Sequence, residues 1–487
     1  MPLKIGFDND RYLKEQSAHI RERISRFGGK LYDDYHASRV LPGFRPDSKL
    51  KMLLELKDQA EIVIVINSND IEKSKKRSDI GITYDADVLR LIDVFRHFGL
   101  YVGSVCMTFY ESQPAARAFK AKLEEQGIKV YKHYAIPGYP SNVEAIVSEN
   151  GYGRNEFIET ERPLVVVTAP GPGSGKMAVC LSQVYNENVR GVQAGYAKFE
   201  TFPIWNLPLR HPVNIAYEAA TTDLADVNMI DPFHLEAYGV TTVNYNRDVE
   251  IFPVLSAIFE RIYGSCPYKS PTDMGVNRAG FCITDDEAVR HAANMEIIRR
   301  YYEAQCAIKR GEIKRDVIYK HELQLKQAGL SPADRPVIGA ALAKANETGA
   351  PAAAIELPDG RIVTGKTSAL LGSSSAMLIN ALKELAGIDD SLHLLSPNVI
   401  APIQHLKIEH LGNHNPRLHT DEVLIALSVC AVSSPEAERA IDQLSKLRGC
   451  DAHSTVILSP VDENLLKKIG VNLTTEPVYQ TKKLFHK

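Results

Sequence analysis

The sequence predicts an α/β protein built on a parallel, doubly wound sheet. Four segments show strand patterns, and two segments between them show helix patterns. The strands are predicted at residues 61–67, 101–108, 129–134 and 164–167, and the helices at 84–98 and 114–126. Alternation of strands and helices in this order favours a parallel sheet with helices on both faces.

Length and composition divide the chain into three predicted parts. At 487 residues the chain exceeds the size that one hydrophobic core usually supports. Residues 285–327 are rich in Glu, Lys, Arg and Ala and contain no proline, which is typical of helices, and residues 331–336 then contain two prolines. We therefore expect an α/β domain at 1–280, a helical connector at 281–332 and a C-terminal α/β domain at 333–487.

The charge balance is close to neutral, with a net charge of −3 and a pI of about 6.6. This balance gives no general attraction to nucleic acid or to anionic membranes. No apolar run approaches the length of a membrane span, about 18 residues. The seven cysteines never form a C-x-x-C pair, which argues against a zinc ribbon. We expect a cytoplasmic protein without a nucleic-acid or membrane partner.

The strongest functional signal is a glycine-rich turn with the sequence PGPGSGK. It follows the fourth predicted strand and precedes a helix marked by apolar residues at helical spacing. Backbone amides at a helix N-terminus favour an anion, and glycines let those amides turn inward. A structural glycine turn is the alternative. The predicted phosphate cradle consists of Gly171, Gly173, Ser174, Gly175 and Lys176.

The turn departs from the P-loop pattern G-x-x-x-x-G-K-[ST] at two positions. Pro170 stands at the first glycine position, and Met177 stands where a hydroxyl normally binds magnesium. A thioether is a poor ligand for a hard cation, so the pattern disfavours an ordinary Mg²⁺ site. Thr168 and Ser174 are the alternatives that would supply the hydroxyl. The expected ligand is an ATP-like nucleotide or another phosphorylated small molecule.

Further candidate residues follow the glycine-rich turn. A P-loop enzyme needs a carboxylate for its divalent cation, usually at the end of an apolar strand. Asp231 ends a short apolar run and is the first choice, and Asp226 is the second; helix capping or a salt link is the alternative for both. Arg247 and Arg278 lie in predicted polar loops and either clamp an anion or form surface ion pairs. With Lys176, the residues Asp231, Arg247 and Arg278 form the predicted catalytic set.

A complete P-loop match at residues 360–367, GRIVTGKT, is not expected to bind phosphate. Asp359-Gly360 is a strong hairpin signal, so the residues after it should form an extended strand that cannot wrap around an anion. The sequence GSSS at residues 372–375 then opens a helix. A serine cap is one interpretation of these serines, and an anion bound at the helix N-terminus is the other.

The order of an Asp-Gly hairpin, a helix and further strands resembles the α/β sandwich of the cytidine-deaminase type. That family binds zinc through H-x-E at the helix start and a later P-C-x-x-C. In this sequence serines stand where that family has H-x-E, and the P-C-x-x-C motif is absent. We therefore expect the fold without its zinc site. His410, His414 and His419 have two interpretations. They either form a different metal site or are hydrogen-bonded in a polar loop.

Seven segments together resemble a bacterial family catalogued as domain of unknown function 1846, or uncharacterised protein family 0371. The resemblance spans almost the whole chain and implies a cytoplasmic multidomain α/β protein, without an assigned activity. The segments are GFDNDRYLKEQ, DDYHASRVLPGF, TAPGPGSGK, KFETFPIWNLPL, VNMIDPFHLEAYG, KSPTDMGVNRAGF and GNHNPRLHTDEVL.

Three functional hypotheses follow from these observations. The first is an enzyme that binds a nucleotide or phosphorylated metabolite at the degenerate P-loop and transfers a phosphoryl group, as a phosphotransferase or ligase. The second is a non-catalytic sensor of a phosphate ligand or an assembly protein, which Met177 favours. The third is a metal hydrolase that uses the C-terminal histidines. We expect the chain to form a homo-oligomer.

Overall fold

The computed structural model describes residues 5–23, 26–28, 31–77 and 81–481. The chain forms two compact units. The N-terminal unit comprises Gly6–Glu218 and Ala225–Val289, and the C-terminal unit comprises Ala219–Leu224 and the described residues from Arg290 onward. Most of the segment that we expected to be a separate helical connector therefore belongs to the C-terminal unit.

The first part of the chain, up to residue 276, alternates helices and strands. In chain order these elements are α1 (Asn9–Arg23), β1 (Arg26–Gly28), α2 (Tyr35–Val40), α3 (Ser48–Leu54), β2 (Ala60–Asn67), α4 (Ser68–Glu72), α5 (Tyr84–His97), β3 (Tyr101–Thr108), α6 (Pro114–Glu125), β4 (Lys129–Lys132), α7 (Val143–Ile146), β5 (Leu164–Thr168), α8 (Lys176–Val189), β6 (Ala197–Phe199), α9 (Pro212–Ala220), β7 (Asn228–Ile230), α10 (Pro232–Tyr238), β8 (Val243–Tyr245), α11 (Asn246–Tyr263) and β9 (Gly275–Val276).

Seven parallel strands form the main sheet of the N-terminal unit, in the order β4-β3-β2-β5-β1-β6-β9. The four predicted strands are β2, β3, β4 and β5, so the prediction of a parallel sheet is confirmed. The strands β1, β6 and β9 are absent from the prediction, because each has only two or three residues and shows no periodicity. The chain runs outward from β2 to β4 and then returns to place β5 on the other side of β2. The strand order therefore reverses between β2 and β5.

Helices cover both faces of this sheet. Ile62, Ile64 and Ile66 of β2 pack on one face with apolar residues of α3, α5 and α6. Val63 and Val65 pack on the opposite face with residues of α8 and α11. All five side chains are buried. Because both faces are covered, β2 is apolar at successive positions and does not alternate between polar and apolar residues.

The remaining elements build the C-terminal unit, which α12 enters from the N-terminal one. They are α12 (Asp286–Arg310), α13 (Val317–Ala328), α14 (Pro336–Thr348), β10 (Ala352–Glu356), β11 (Ile362–Lys366), α15 (Ser373–Ala386), α16 (Pro397–His405), α17 (Thr420–Ala431), α18 (Pro435–Ile441), β12 (Asp451–Ser454), α19 (Pro460–Lys468) and β13 (Asn472–Thr475), with a π-helical turn at Leu406–His410.

The C-terminal sheet is mixed, with the strand order β11-β10-β12-β13. The strand β10 is antiparallel to β11 and β12, whereas β12 and β13 are parallel. The predicted hairpin is confirmed, because Gly360 turns the chain at a φ of +86° and β11 pairs with β10. The complete P-loop match at residues 360–367 therefore lies in a hairpin and not in a turn from a strand into a helix.

A buried arginine organises the C-terminal unit. Arg335 is 1% exposed, and its Nη1 lies 3.1 Å from Asp451 Oδ2. Its guanidinium also donates to Asn472 O at 2.5 Å and to Met295 O at 3.3 Å. Burial lowers the pKa of Arg335 and raises the pKa of Asp451. This side chain thereby joins the start of α14 to α12, β12 and β13.

We expect an Arg335→Ala substitution to destabilise the protein strongly, because it leaves the Asp451 carboxylate and two carbonyl groups buried without their donor. The expected loss in the free energy of unfolding is about 3–5 kcal/mol, measured by urea unfolding. Arg361→Ala is the matched control, because Arg361 pairs with Asp359 on the surface and its loss should leave the unfolding midpoint nearly unchanged. Equal effects of the two substitutions would contradict this role of Arg335.

Candidate functional site

The glycine-rich turn joins β5, which ends at Thr168, to α8, which begins at Lys176. We call residues 169–175 the glycine loop. Gly173 and Gly175 have φ values of +75° and +89°, a region that glycine adopts without steric cost. A Cβ at Gly171 would lie 2.2 Å from Tyr84 Oη, so a side chain there would have to displace the Tyr84 ring. Backbone conformation favours glycine at two positions, and packing against Tyr84 favours it at the third.

The glycine loop passes over the carboxyl end of β2. Asn67, the last residue of β2, donates from Nδ2 to Gly173 O at 3.4 Å. Thr108, at the end of β3, donates from Oγ1 to Ser174 O at 2.8 Å. The loop therefore lies at the edge of the sheet where the strand order reverses, which is where open α/β sheets bind their ligands.

Lys176 folds its side chain back across the glycine loop. Its Nζ donates to Gly171 O at 3.3 Å, and burial lowers the pKa of this amine. Glu200 is the carboxylate that acts on Lys176 electrostatically, but among the described residues no carboxylate lies within ion-pair distance of it. The half-buried ammonium group is thus held by a neutral carbonyl instead of a counterion.

The N-terminus of α8 has no side-chain cap. The residue at the cap position is Gly175, which has no side chain, and the Oγ of the preceding Ser174 donates to Gly171 O at 2.7 Å. The first amides of this 14-residue helix and its dipole therefore retain their capacity to bind an anion.

Met177 faces away from the loop and packs against the apolar cluster that α8 shares with β5 and α11. This packing explains why the position reserved for a hydroxyl in the P-loop pattern holds a thioether here. A side chain in this orientation contributes to the core and supplies no ligand for a metal ion.

A group of buried and half-buried charges lies around the carboxyl end of β6. We call Lys49, Lys198, Glu200 and Asp248 the β6 charge cluster. Lys198 Nζ forms a short ion pair with Asp248 Oδ1. Burial raises the pKa of Glu200 to about 7, although Lys198 and Lys49 counteract this increase. The cluster therefore contains a carboxyl group that exchanges its proton near neutral pH.

Sequence reasoning missed the β6 charge cluster because β6 itself was missed. One signal was available: Lys198 and Glu200 flank the fully buried Phe199 at a spacing of two residues. Charged residues two apart in an extended segment lie on one face of it, opposite the apolar residue between them.

The structure brings two predicted residues together, Asp226 and Arg247. Arg247 binds the carboxylate of Asp226 through Nε and through Nη2, the latter at 2.9 Å from Oδ2. The side chain of Asp226 is 2% exposed and that of Arg247 is 55% exposed. Arg247 also acts electrostatically on Glu200, so this pair lies near the β6 charge cluster. The prediction of a polar loop at Arg247 is wrong, because this residue is in the first turn of α11.

Both carboxylate oxygens of Asp231 accept hydrogen bonds, one from the start of α10 and the other from Thr272. Its Oδ1 accepts from the amides of Phe233 and His234 at 3.0 Å, and its Oδ2 accepts from Thr272 N at 3.1 Å and from Thr272 Oγ1 at 2.5 Å. This geometry favours the capping alternative. Asp231 directly follows a strand, β7, as expected, but β7 pairs with β8 in a two-stranded sheet separate from the main sheet.

Arg278 follows β9 at the edge of the main sheet, three strands away from β5. Its guanidinium carbon lies 4.2 Å from the ring centroid of Phe281, and its Nη2 lies 3.5 Å from Glu15 Oε2. These contacts fit the alternative of a surface ion pair.

The three C-terminal histidines occupy different environments. His410 ends the π-helical turn, and its ring lies 5.4 Å from that of His405. His414 is exposed in a loop. His419 precedes α17, and its Nδ1 lies 3.0 Å from Asp462 Oδ2, a hydrogen bond that raises the pKa of His419. Within the described ranges, no group of three or more His, Cys, Asp or Glu side chains is arranged to hold a metal ion.

These features define a two-unit α/β protein with a glycine loop at the reversal point of a parallel sheet. Residues 5–329 match the family model described as domain of unknown function DUF1846, N-terminal, and residues 333–485 match domain of unknown function DUF1846, C-terminal. The chain belongs to this family, and the resemblance inferred from the seven segments is confirmed.

Close relatives occur in streptococci and carry the name UPF0371 protein. A relative from Streptococcus pyogenes serotype M3 is 57% identical over 491 residues, which cover 99% of each chain. A relative from Streptococcus thermophilus is 56% identical over 492 residues, which cover 99% of this chain and 100% of the relative. In the part of the chain that the structure describes, no helix is long and apolar enough to cross a membrane.

We expect Glu200→Gln to remove part of the pH dependence of stability. Because the folded protein holds the Glu200 proton more tightly than the unfolded chain, its contribution is complete below the ordinary pKa of 4.5 and is lost as the pH rises through about 7. Between pH 5 and pH 8, the wild-type protein should lose on the order of 2 kcal/mol more than the variant, measured by urea unfolding. The same loss in both proteins would show that Glu200 titrates at its ordinary pKa.

Proposed function

We propose that the glycine loop binds the phosphate groups of an ATP-like nucleotide or of a phosphorylated metabolite, and that the protein is an enzyme of phosphoryl transfer. The observation that supports this most directly is the Lys176 ammonium group. It lies across the loop against a carbonyl oxygen, with no carboxylate partner among the described residues, at the uncapped N-terminus of α8. A cation in this position gains most when an anion binds beside it.

In this proposal the amides of residues 173–176 hold the phosphate groups, and Lys176 balances the charge on the outer one. Arg247 supplies a second cation near the β6 charge cluster. Its bidentate ion pair with Asp226 uses Nε and Nη2, so Nη1 remains available to the ligand. Because phosphoryl transfer depends mainly on positioning and charge stabilisation, two fixed cations supply the contribution that such chemistry needs.

Glu200 is the proton acceptor in this proposal. A general base works best when its pKa lies near the working pH, and burial brings the pKa of Glu200 to about 7. Its electrostatic interaction with Lys176 places it in the neighbourhood of the glycine loop. A hydroxyl group of the phosphate acceptor would transfer its proton to this carboxylate.

Phosphate binding in this proposal relies on Lys176 and backbone amides, and not on an ordinary Mg²⁺ site. Met177 packs against the core, and the two carboxylate oxygens of Asp231 accept hydrogen bonds from the start of α10 and from Thr272. Neither residue therefore supplies the ligand that its place in the sequence pattern suggests.

A non-catalytic sensor of a phosphorylated ligand is the second candidate, and the packing of Met177 is the observation that favours it. Thermal unfolding with ATP, with and without Mg²⁺, combined with a turnover assay separates the two candidates. Stabilisation by the nucleotide together with turnover supports phosphoryl transfer, whereas stabilisation by the nucleotide without turnover supports the sensor.

For the C-terminal unit we propose an α/β sandwich of the cytidine-deaminase type without a zinc site. The β10-β11 hairpin followed by α15, together with the parallel pair β12-β13, supports this assignment.

We also propose that the chain forms a homo-oligomer. Support comes from α17, where Ile425 and Val429 are 63% and 52% exposed on one apolar face.

We expect Lys176→Ala to abolish the stabilisation that ATP or pyrophosphate gives to the protein, because the substitution removes the cation that lies against the Gly171 carbonyl of the glycine loop. The expected loss in affinity is about a hundredfold or more. Differential scanning fluorimetry and calorimetric titration measure it.

Lys366→Ala is the matched control for this experiment. Lys366 stands in the complete P-loop match but ends β11, so its removal should leave nucleotide binding unchanged. Equal binding by the Lys176→Ala protein and the wild type would refute the phosphate site at the glycine loop.

A further inference from the structure

The turn that follows α4 brings a lysine next to the glycine loop. Tyr84, the first residue of α5, is 5% exposed, and its Oη would lie 2.2 Å from a Cβ at Gly171. Lys75 Nζ lies 5.0 Å from the centroid of the same Tyr84 ring. One phenol group therefore adjoins both the amine of Lys75 and the backbone of Gly171.

The backbone fixes the position of Lys75 relative to Tyr84. Tyr84 N donates to Lys75 O at 2.9 Å, and Lys75 N donates to Asp70 O at 3.0 Å. The preceding residue, Ser74, has a φ of +46°, a left-handed conformation that a residue with a side chain seldom adopts. Such a conformation persists only where the surrounding contacts determine it, and it is common at ligand sites. The position of the Lys75 side chain is therefore set by this turn.

The charge of Lys75 is only partly neutralised within the protein. Its Nζ lies 3.4 Å from Asp70 Oδ2, and its side chain is 43% exposed. An ion pair at the surface contributes little, because water competes for both partners. Burial raises the pKa of Tyr84, and the charge of Lys75 is the largest effect that opposes this increase. Lys75 thus acts electrostatically on the hydroxyl group that adjoins Gly171.

The positive charge next to Gly171 exceeds what one phosphate group requires. Lys176 Nζ donates to Gly171 O, and the N-terminus of α8 adds about half a positive charge. Together they balance most of the charge of a single phosphate group, which is about −1.5 to −2. Lys75 adds a further positive charge, which a second linked phosphate group would balance.

We propose that Lys75 is a further cation of the phosphate site, positioned by Tyr84, and that the ligand of the glycine loop carries at least two linked phosphate groups. An inorganic polyphosphate and a nucleoside di- or triphosphate share this chemistry, whereas a phosphate monoester lacks it. This inference rests on the proposed function, because it requires that the glycine loop binds phosphate. It narrows the ligand from any phosphorylated metabolite to a compound with a phosphoanhydride bond.

Calorimetric titration of the full chain with inorganic phosphate, inorganic triphosphate and ATP tests the proposal. The wild type should bind triphosphate at least about tenfold more tightly than phosphate, because the longer anion pairs with both amines. Lys75→Met removes the charge and keeps the alkyl stem, so it should weaken triphosphate binding about tenfold and change phosphate binding by less than about twofold. ATP that binds more tightly than triphosphate identifies a nucleotide as the ligand, and ATP that binds less tightly identifies an inorganic polyphosphate.

Two further lysine variants serve as controls. Lys73→Met removes an exposed lysine from the same turn and should leave both affinities unchanged. Lys75→Arg keeps the charge and should retain triphosphate binding. Without ligand, Lys75→Met should unfold at the wild-type temperature, because the ion pair with Asp70 is partly exposed. A loss of triphosphate binding in that protein then reflects the missing charge and not a disturbed fold.

Lys176→Ala separates this inference from the proposed function. If Lys176→Ala loses triphosphate binding and Lys75→Met keeps it, the glycine loop binds phosphate and the inference about Lys75 is overturned. Equal losses of phosphate and triphosphate binding in Lys75→Met would also overturn it, since the effect would then need no second phosphate group. If the wild type binds none of the three anions, the proposed function itself fails, and this inference fails with it.

Discussion

The parallel pairing of β2 with β5 is the interaction on which the candidate site depends. The two strands are in register from Ala60 opposite Leu164 to Ile64 opposite Thr168. Both strands end at the same edge of the sheet, and the hydrogen bond from Asn67 to Gly173 shows that the glycine loop lies at the end of β2. Burial of β2 on both faces stabilises this arrangement through the hydrophobic effect and keeps the glycine loop at the reversal point.

Sequence patterns predicted the strands of the main sheet that have four or more residues and missed those that have two or three. The strand β3 was predicted with its observed bounds, and α5 and α6 within one residue of theirs, because long apolar patterns reveal their period. The three-residue strand β6 has no such pattern. Since β6 carries Lys198 and leads directly into Glu200, missing this strand also meant missing the β6 charge cluster.

Context was a better guide to the site than agreement with a motif. The complete P-loop match lies in the β10-β11 hairpin, whereas the imperfect one lies between β5 and α8. Structural context also explains why Asp231 was a weak candidate for a metal ligand. It was selected because it follows an apolar strand. Its strand belongs to a separate two-stranded sheet, and pairing between distant segments is not visible in a local pattern. Asp226 and Arg247, selected separately, lie together because α11 begins beside Asp226.

The central claim is that the glycine loop holds phosphate groups against Lys176 and the start of α8. A crystal structure with a bound non-hydrolysable ATP analogue tests this most directly. The account predicts a phosphate group within hydrogen-bond distance of the amides of residues 173–176, with Lys176 Nζ moved from Gly171 O to a phosphate oxygen. A nucleotide bound elsewhere, with Lys176 still on Gly171 O, would contradict it.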